Sequence, residues 1–440
     1  MHNEQNSSQK LALLKPDIIG AVVPSDAAVQ KAAFLAGEVR NPRHHYARLE
    51  RDYVQDIGTL VTTGNYALDE LGERRPKLES VYHDSIEDYV ESNELMYYMD
   101  RYDKATSPTE RLYYRGEVMR LNTELYGAPA RSDYHHVLAS YISSVDDTHL
   151  KGDGLAVYAE LVAGLPTIED IQDEGGYQPR PETMAWMQEM VENLYGRMLE
   201  HVTDGREYGP ADIQALFSAV ISSEFGEEVA LEWRVDIEPA RVITVNAAKK
   251  RIIIPVDRKP VSSEKMKDLV VHEIGVHMLR SVCGYETDIP LLATGMKGYA
   301  DSEEGLAVVV EQARKGKFHE SGHLSYLAAS LAYFEGMDFR ATFETLWRII
   351  ALKSAKGADM TSEAIEKARS SAYGVCLRTF WGTDDIPWFK DLQYYNGSIA
   401  VWKHLDSIAG DVDAFQRIIM GKTNIDDQAQ ARAVLEAKTL

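Results

Sequence analysis

The sequence predicts an α+β fold, predominantly helical, with a small sheet placed immediately before one apolar helix. Three observations lead there. Apolar residues recur at helical spacing to about residue 224, as in Tyr53, Ile57, Leu60 and Val61. The period then changes to strict alternation over Leu231-Glu232-Trp233-Arg234-Val235-Asp236-Ile237, the pattern of a half-buried strand. After Gly316 the helical period returns and runs to the last residues.

Taken in order, Met1 to Lys10 is polar, and the apolar run that follows is broken by Lys15, Pro16 and Asp17. Residues 1–25 are therefore expected to form a flexible tail with no signal peptide. Residues 26–224 read as a helical N-terminal subdomain. Its helices are separated by turn signals at Ala105-Thr106-Ser107-Pro108, Gly152-Asp153-Gly154, Gly164-Leu165-Pro166 and Glu174-Gly175-Gly176-Tyr177, and one helix is expected from Pro181 to His201. Residues 225–440 read as a second subdomain. It opens on the alternating strand and continues through a hairpin of Arg241–Val245 and Arg251–Ile254, joined by Asn246 to Lys250. A chain of 440 residues can bury a large core and is expected to fold as two coupled units.

Composition narrows the function. The net charge of −22, from 47 basic and 69 acidic residues, argues against nucleic acid as a partner, because phosphate binding relies on basic surface. Two cysteines give no disulfide framework and fit a reducing compartment, so a cytoplasmic location is expected. No apolar run reaches the roughly eighteen residues that a membrane span needs.

The chemistry concentrates in Leu269-Val270-Val271-His272-Glu273-Ile274-Gly275-Val276-His277-Met278-Leu279. Uncompensated polar groups on a buried helix cost a few kcal/mol each, so three of them in six residues suggest a metal. Two neutral imidazoles would be its ligands, and a carboxylate beside them would act on a bound water. The familiar peptidase helix H-E-x-x-H sets its histidines at i and i+4. Here they are at i and i+5, about 140° apart on a regular helix. A single widened turn with i to i+5 bonding realigns them, and Gly275 makes such a distortion inexpensive. The candidate third ligand is Glu304 in Asp301-Ser302-Glu303-Glu304-Gly305-Leu306-Ala307. The alternative is a capping box in which Asp301 caps a helix and Glu304 closes it. A literal H-E-x-x-H also occurs at His319-Glu320-Ser321-Gly322-His323. The basic, glycine-punctuated run Arg314-Lys315-Gly316-Lys317 before it suggests a polar surface turn, so the first motif ranks above it. The pairs His44-His45 and His135-His136 read as ordinary surface or core histidines.

These residues resemble the tyrosine carboxypeptidase family, which includes the microtubule-associated enzyme that trims α-tubulin and bacterial relatives named for a Q-E-G-L-A motif. The likeness lies in His272-Glu273-Ile274-Gly275-Val276-His277 against H-E-I-G-T-H and Glu303-Glu304-Gly305-Leu306-Ala307 against Q/E-E-G-L-A. It extends to Leu125-Tyr126-Gly127-Ala128-Pro129 against L-Y-G-x-P and Lys390-Asp391-Leu392-Gln393-Tyr394 against K-D-x-x-Y. The resemblance implies a zincin-like metallopeptidase core with one Zn²⁺ per chain held by His272, His277 and Glu304, and Glu273 as catalytic base. Arg378 and Lys390 become candidates for a substrate carboxylate, with the aromatics Trp381, Trp388 and Phe389 as pocket walls and Tyr394 for the oxyanion. The implied partner is a peptide or protein C-terminus, trimmed by one aromatic, tyrosine-like residue. Departures exist: Val276 replaces a threonine, and Arg378-Thr379-Phe380-Trp381-Gly382-Thr383 stands where R-x-F-R-G-G is usual. An acidic tubulin tail would be repelled at long range by the net charge, so tubulin itself is not carried over. Two other readings stand beside this one: a zinc endopeptidase maturing a specific peptide, and a helical binding or regulatory protein with a vestigial metal site. Zincin-type sheets carry an edge strand able to pair with an extended peptide.

Overall fold

The computed structural model describes residues 7–72, 78–145, 150–165, 176–355 and 360–437, and within them the chain is predominantly helical with two small sheets. Pro166, Glu174 and Gly175 of the expected turns lie outside the described residues. The turn signals elsewhere act as their chemistry requires. Ser107 closes a capping box with Glu110, and Pro108 starts the helix Pro108–Tyr126, where its missing N–H has no partner to lose.

The N-terminal segment is not a loose tail over its described part. Ser7–Leu13 is helical, Leu11 and Val22 are fully buried, and the first helix docks against Tyr53–Gly72 and Leu291–Thr294. The run Leu11-Ala12-Leu13-Leu14 is too short to read as an amphipathic element alone, yet its apolar area finds a groove to fill.

Buried side chains also ignore a division at residue 224. One core joins Met96, Leu121 and Leu138 to Tyr326, Phe343 and Tyr373. A second joins Met187 and Phe217 to Val271, Ile274, Val309 and Trp402. The helix Pro181–Glu200 thus packs with the 270–313 region, while residues 326–395 pack with the early helices.

In the sheets, β1 (Glu207–Tyr208) pairs antiparallel with β5 (Val261–Ser262). The strands β2 (Arg234–Glu238), β3 (Thr244–Asn246) and β4 (Arg251–Pro255) form a second sheet in the order β2-β4-β3. The expected hairpin is present, with Val245 opposite Ile252. The expected strand at 231–237 begins later, because the helix Pro210–Glu232 runs through Leu231, which is exposed at its end. Period-two patterning carries no strand direction, and β2 proves to be parallel to β4. Ile252 and Ile254 of the central strand are fully buried against the second core.

From β5 the chain enters one continuous rod. Ser262 caps Ser263–Leu269 by accepting from Lys265 N, and that helix passes directly into Val270–Met278 and then Leu279–Tyr285. The helices Tyr299–Lys315 and Gln393–Ile408 then cross at two glycines. A Cβ on Gly305 would lie 2.3 Å from the Gly397 carbonyl, and one on Gly397 would lie 2.1 Å from the Asp301 carbonyl oxygen. Only glycine permits this approach, and it sets Lys390, Gln393 and Tyr394 beside Glu304 at one cavity.

Candidate metal centre

Val270–Met278 is a π-helical segment, with the i to i+5 bonding that the histidine spacing demands. The wider turn brings the His272 and His277 rings to 4.8 Å between centroids, at 79°. Val270, Val271, Ile274, Val276 and Met278 are fully buried on the other sides of the rod and hold it in place. Gly275 has a packing reason as well as a conformational one, since a Cβ there would sit 3.0 Å from the Tyr195 ring.

Glu304 reaches the pair from Tyr299–Lys315. That helix is capped by Gly298 at φ 70, so Asp301 falls inside its first turn and the capping-box alternative for Glu304 does not form. Glu304 Oε2 lies 3.8 Å from His272 Nε2 and 3.7 Å from His277 Nε2. Among the described residues this is the one His/Cys/Asp/Glu group able to hold a metal, its ligand atoms all within 4.8 Å of one another. Tetrahedral zinc with bonds of about 2.0–2.2 Å sets its ligand atoms roughly 3.3–3.6 Å apart, so Glu304 Oε2 already stands within a few tenths of an ångström of that spacing from each Nε2.

The other ring nitrogens support the same use. His272 Nδ1 is 2.7 Å from Glu311 Oε1, and His277 Nδ1 is 2.9 Å from Glu303 Oε1. In the neutral ring a carboxylate on Nδ1 fixes the proton there and turns the Nε2 lone pair to the other side, which is how ligating histidines are held. Glu303 is itself fixed by Arg280 and by Lys422 Nζ at 2.7 Å. Burial alone would raise the Glu303 carboxyl, but Lys422, Arg280 and His277 together hold it well below the usual range. Burial likewise opposes the charge of Glu311, yet its bond to His272 brings it down to about 2. Burial disfavours a charged His272, but Glu311, Glu273 and Glu304 overcome that and lift it to about 9. This ring of carboxylates favours a cation between the imidazoles. Burial raises Glu273, which makes it a stronger acceptor of a proton.

Sequence reasoning missed Glu303 and Glu311 as the groups that orient the histidines. Glu311 follows Glu304 by seven residues and so shares its helix face, a signal that the spacing does contain. Arg280 and Lys422 left no such signal, because they meet Glu303 from distant elements.

The site opens on a cavity of about 750 Å³ lined by His272, Glu273, His277, Glu304, Lys390 and Tyr394. Leu125 and Tyr126 of the L-Y-G-A-P segment line it too. Burial lowers the Lys390 ammonium and raises the Tyr394 phenol. Arg378 is placed differently from the expectation. It does not line this cavity; its guanidinium is bound bidentately by Asp391, at 2.6 and 2.7 Å. Burial opposes that charge, and Asp391 more than restores it. Arg378 therefore anchors the turn that presents Lys390 and Tyr394. Trp381, Trp388 and Phe389 are buried in the first core and are not cavity walls. The apolar lining comes instead from Tyr89, Val242, Ile243 and Tyr299, with Leu14 and Ile18 from the N-terminal segment.

At the second motif, residues 319–322 are outside any helix, as the glycines suggested, and His323 begins one after Gly322 at φ 74. The segment is more buried than a surface turn, however. Glu320 Oε2 lies 2.7 Å from His323 Nε2, and Glu320 Oε1 lies 3.0 Å from His136 Nε2. The side chains of Glu320 and His323 are 11% and 18% exposed. His136 is thus a partner in a buried bridge, and His44 is buried within 3.2 Å of the Tyr373 hydroxyl.

No helix among the described residues is long and apolar enough to cross a membrane. Comparison with known proteins found one family model, described as microtubule-associated tyrosine carboxypeptidase, that matches residues 180–440, more than half of the chain. No curated protein and no solved structure matched.

Proposed function

Because this chain belongs to the microtubule-associated tyrosine carboxypeptidase family, we propose that it is a zinc-dependent, zincin-like carboxypeptidase removing a C-terminal, tyrosine-like residue from a peptide or protein. The observation that carries the reading is the convergence of two Nε2 atoms and Glu304 beside the buried Glu273, with both Nδ1 atoms held by carboxylates. His272, His277 and Glu304 would hold one Zn²⁺, which supplies a Lewis acid for the scissile carbonyl and acidifies a water. Glu273 accepts that water's proton and returns it to the leaving amine, a task its raised carboxyl suits. Tyr394, whose phenol remains protonated, donates to the developing oxyanion.

The cavity offers what a chain end needs. Lys390 has no carboxylate within 4.0 Å among the described residues, and its ammonium pairs with the terminal carboxylate. Gln393 is 2% exposed with both amide atoms unpartnered, a donor and acceptor ready for a peptide group. The edge strand β3 borders the cavity and can pair with an extended substrate.

The test incubates zinc-loaded protein with a peptide ending in tyrosine, as free acid and as amide, and reads products by mass spectrometry. Release of tyrosine from the acid alone is the expected result. Equal cleavage of the amide, or cleavage at internal bonds, contradicts the exopeptidase reading and favours an endopeptidase.

A further inference from the structure

The N-terminal segment enters the catalytic cavity. Leu14, Lys15, Asp17 and Ile18 line it, although they lie far outside the family-matched residues 180–440. The segment is anchored on both sides. Leu11 and Ala12 are buried in a third, smaller core with Leu60 and Leu291; Val22 is buried in the first. Between them Pro16 fixes one backbone torsion, and Asp17 caps Ile18–Ala21 through Gly20 N at 3.0 Å. Lys15 is therefore presented from a held strap.

Four lysines line this cavity, of which Lys249 is exposed to solvent, and the charges of the other three, Lys15, Lys390 and Lys422, are not equally answered. Lys422 is paired with Glu303 at 2.7 Å. Lys15 and Lys390 have no carboxylate within 4.0 Å among the described residues. The Lys15 ammonium rests 3.7 Å from the Tyr299 ring centroid and donates to the Thr294 carbonyl. Asp88 and Glu303 are the acidic groups that act on it, and Glu303 is already bound by Arg280, Lys422 and His277. Like charges held together away from water are costly until an anion joins them.

Resting on the carboxypeptidase reading, we propose that Lys15 is a specificity-determining residue of the active site, pairing with one oxygen of the substrate's terminal carboxylate while Lys390 takes the other. Burial and the nearby Lys422 lower the Lys15 ammonium well below its ordinary range, a penalty that a bound anion removes.

Calorimetry on zinc-loaded Glu273→Gln protein, which binds without turnover, measures affinity for a tyrosine-ending peptide as acid and as amide. Lys15→Met in that background should reduce the preference for the acid by about tenfold, the worth of one charge-assisted contact. Lys15→Arg should restore most of it. If Lys15 only pins the strap through Thr294 and Tyr299, Lys15→Met weakens acid and amide binding equally, and that result overturns the proposal. An unchanged acid preference in Lys15→Met also overturns it. No preference for the acid in the Glu273→Gln parent is a different failure, that of the carboxypeptidase reading itself.

Discussion

His272-Glu273-Ile274-Gly275-Val276-His277 and His319-Glu320-Ser321-Gly322-His323 offer the same donor types over similar lengths, and the standard zinc-peptidase spelling belongs to the second. Their surroundings separate them. The first lies on a rod buried among Val271, Ile274 and Met278, where a π turn aligns both Nε2 atoms with Glu304, and Glu303 and Glu311 hold the opposite nitrogens. In the second the glutamate is the centre, and His136 and His323 turn their Nε2 atoms onto it. A histidine whose Nε2 is engaged by a carboxylate is not free to ligate. What separates a metal site from a structural bridge is thus which nitrogen the neighbouring carboxylates occupy, rather than the spacing of the letters.

The largest effect that sharpens this contrast is on catalysis. Glu273→Gln should keep zinc and fold yet lose roughly 10²–10⁴ in rate, since an amide cannot take the proton. A variant with near-normal turnover on a tyrosine-ending peptide would remove Glu273 from the chemistry.

Next come the groups around the candidate metal centre. Glu304→Gln should weaken zinc binding measured against a competing chelator. Glu311→Gln, which replaces the charged acceptor on His272 Nδ1 by a neutral amide, should weaken it by about 10–100-fold. Identical zinc affinity in Glu311→Gln and the native chain would mean that the carboxylate on Nδ1 orients nothing.

The smallest effect is expected at the second cluster. Glu320→Gln should leave zinc affinity unchanged and reduce stability by about 1–2 kcal/mol, through weaker bonds to two imidazoles. Burial would raise the Glu320 carboxyl, but His323 and His136 outweigh it and hold it below 4.5. A depressed carboxyl stabilises the fold above its unfolded value of 4.5, and that contribution fades as pH falls through the folded value. The melting-temperature gap between the native chain and Glu320→Gln should therefore close on acidification below 4.5. A gap that stays constant or widens would contradict the bridge.

What the sequence could disclose followed from local spacing. Two histidines at i and i+5 around a glycine required a widened turn, and the turn is there. The strands came from alternation, but not the direction of β2 or its late start, because periodicity carries neither pairing sense nor where a helix yields. Arg378 looked free beside Lys390 until the fold returned Asp391 to it. Lys15 and Lys422 reach the site only through packing between elements hundreds of residues apart, which no local pattern encodes.

The central claim is tested most directly by zinc content per chain after equilibrium dialysis, compared between two double variants. His272→Ala/His277→Ala should contain no bound zinc, while His319→Ala/His323→Ala and the native protein should each hold one ion per chain. Zinc retained by the first variant and lost from the second would contradict the assignment.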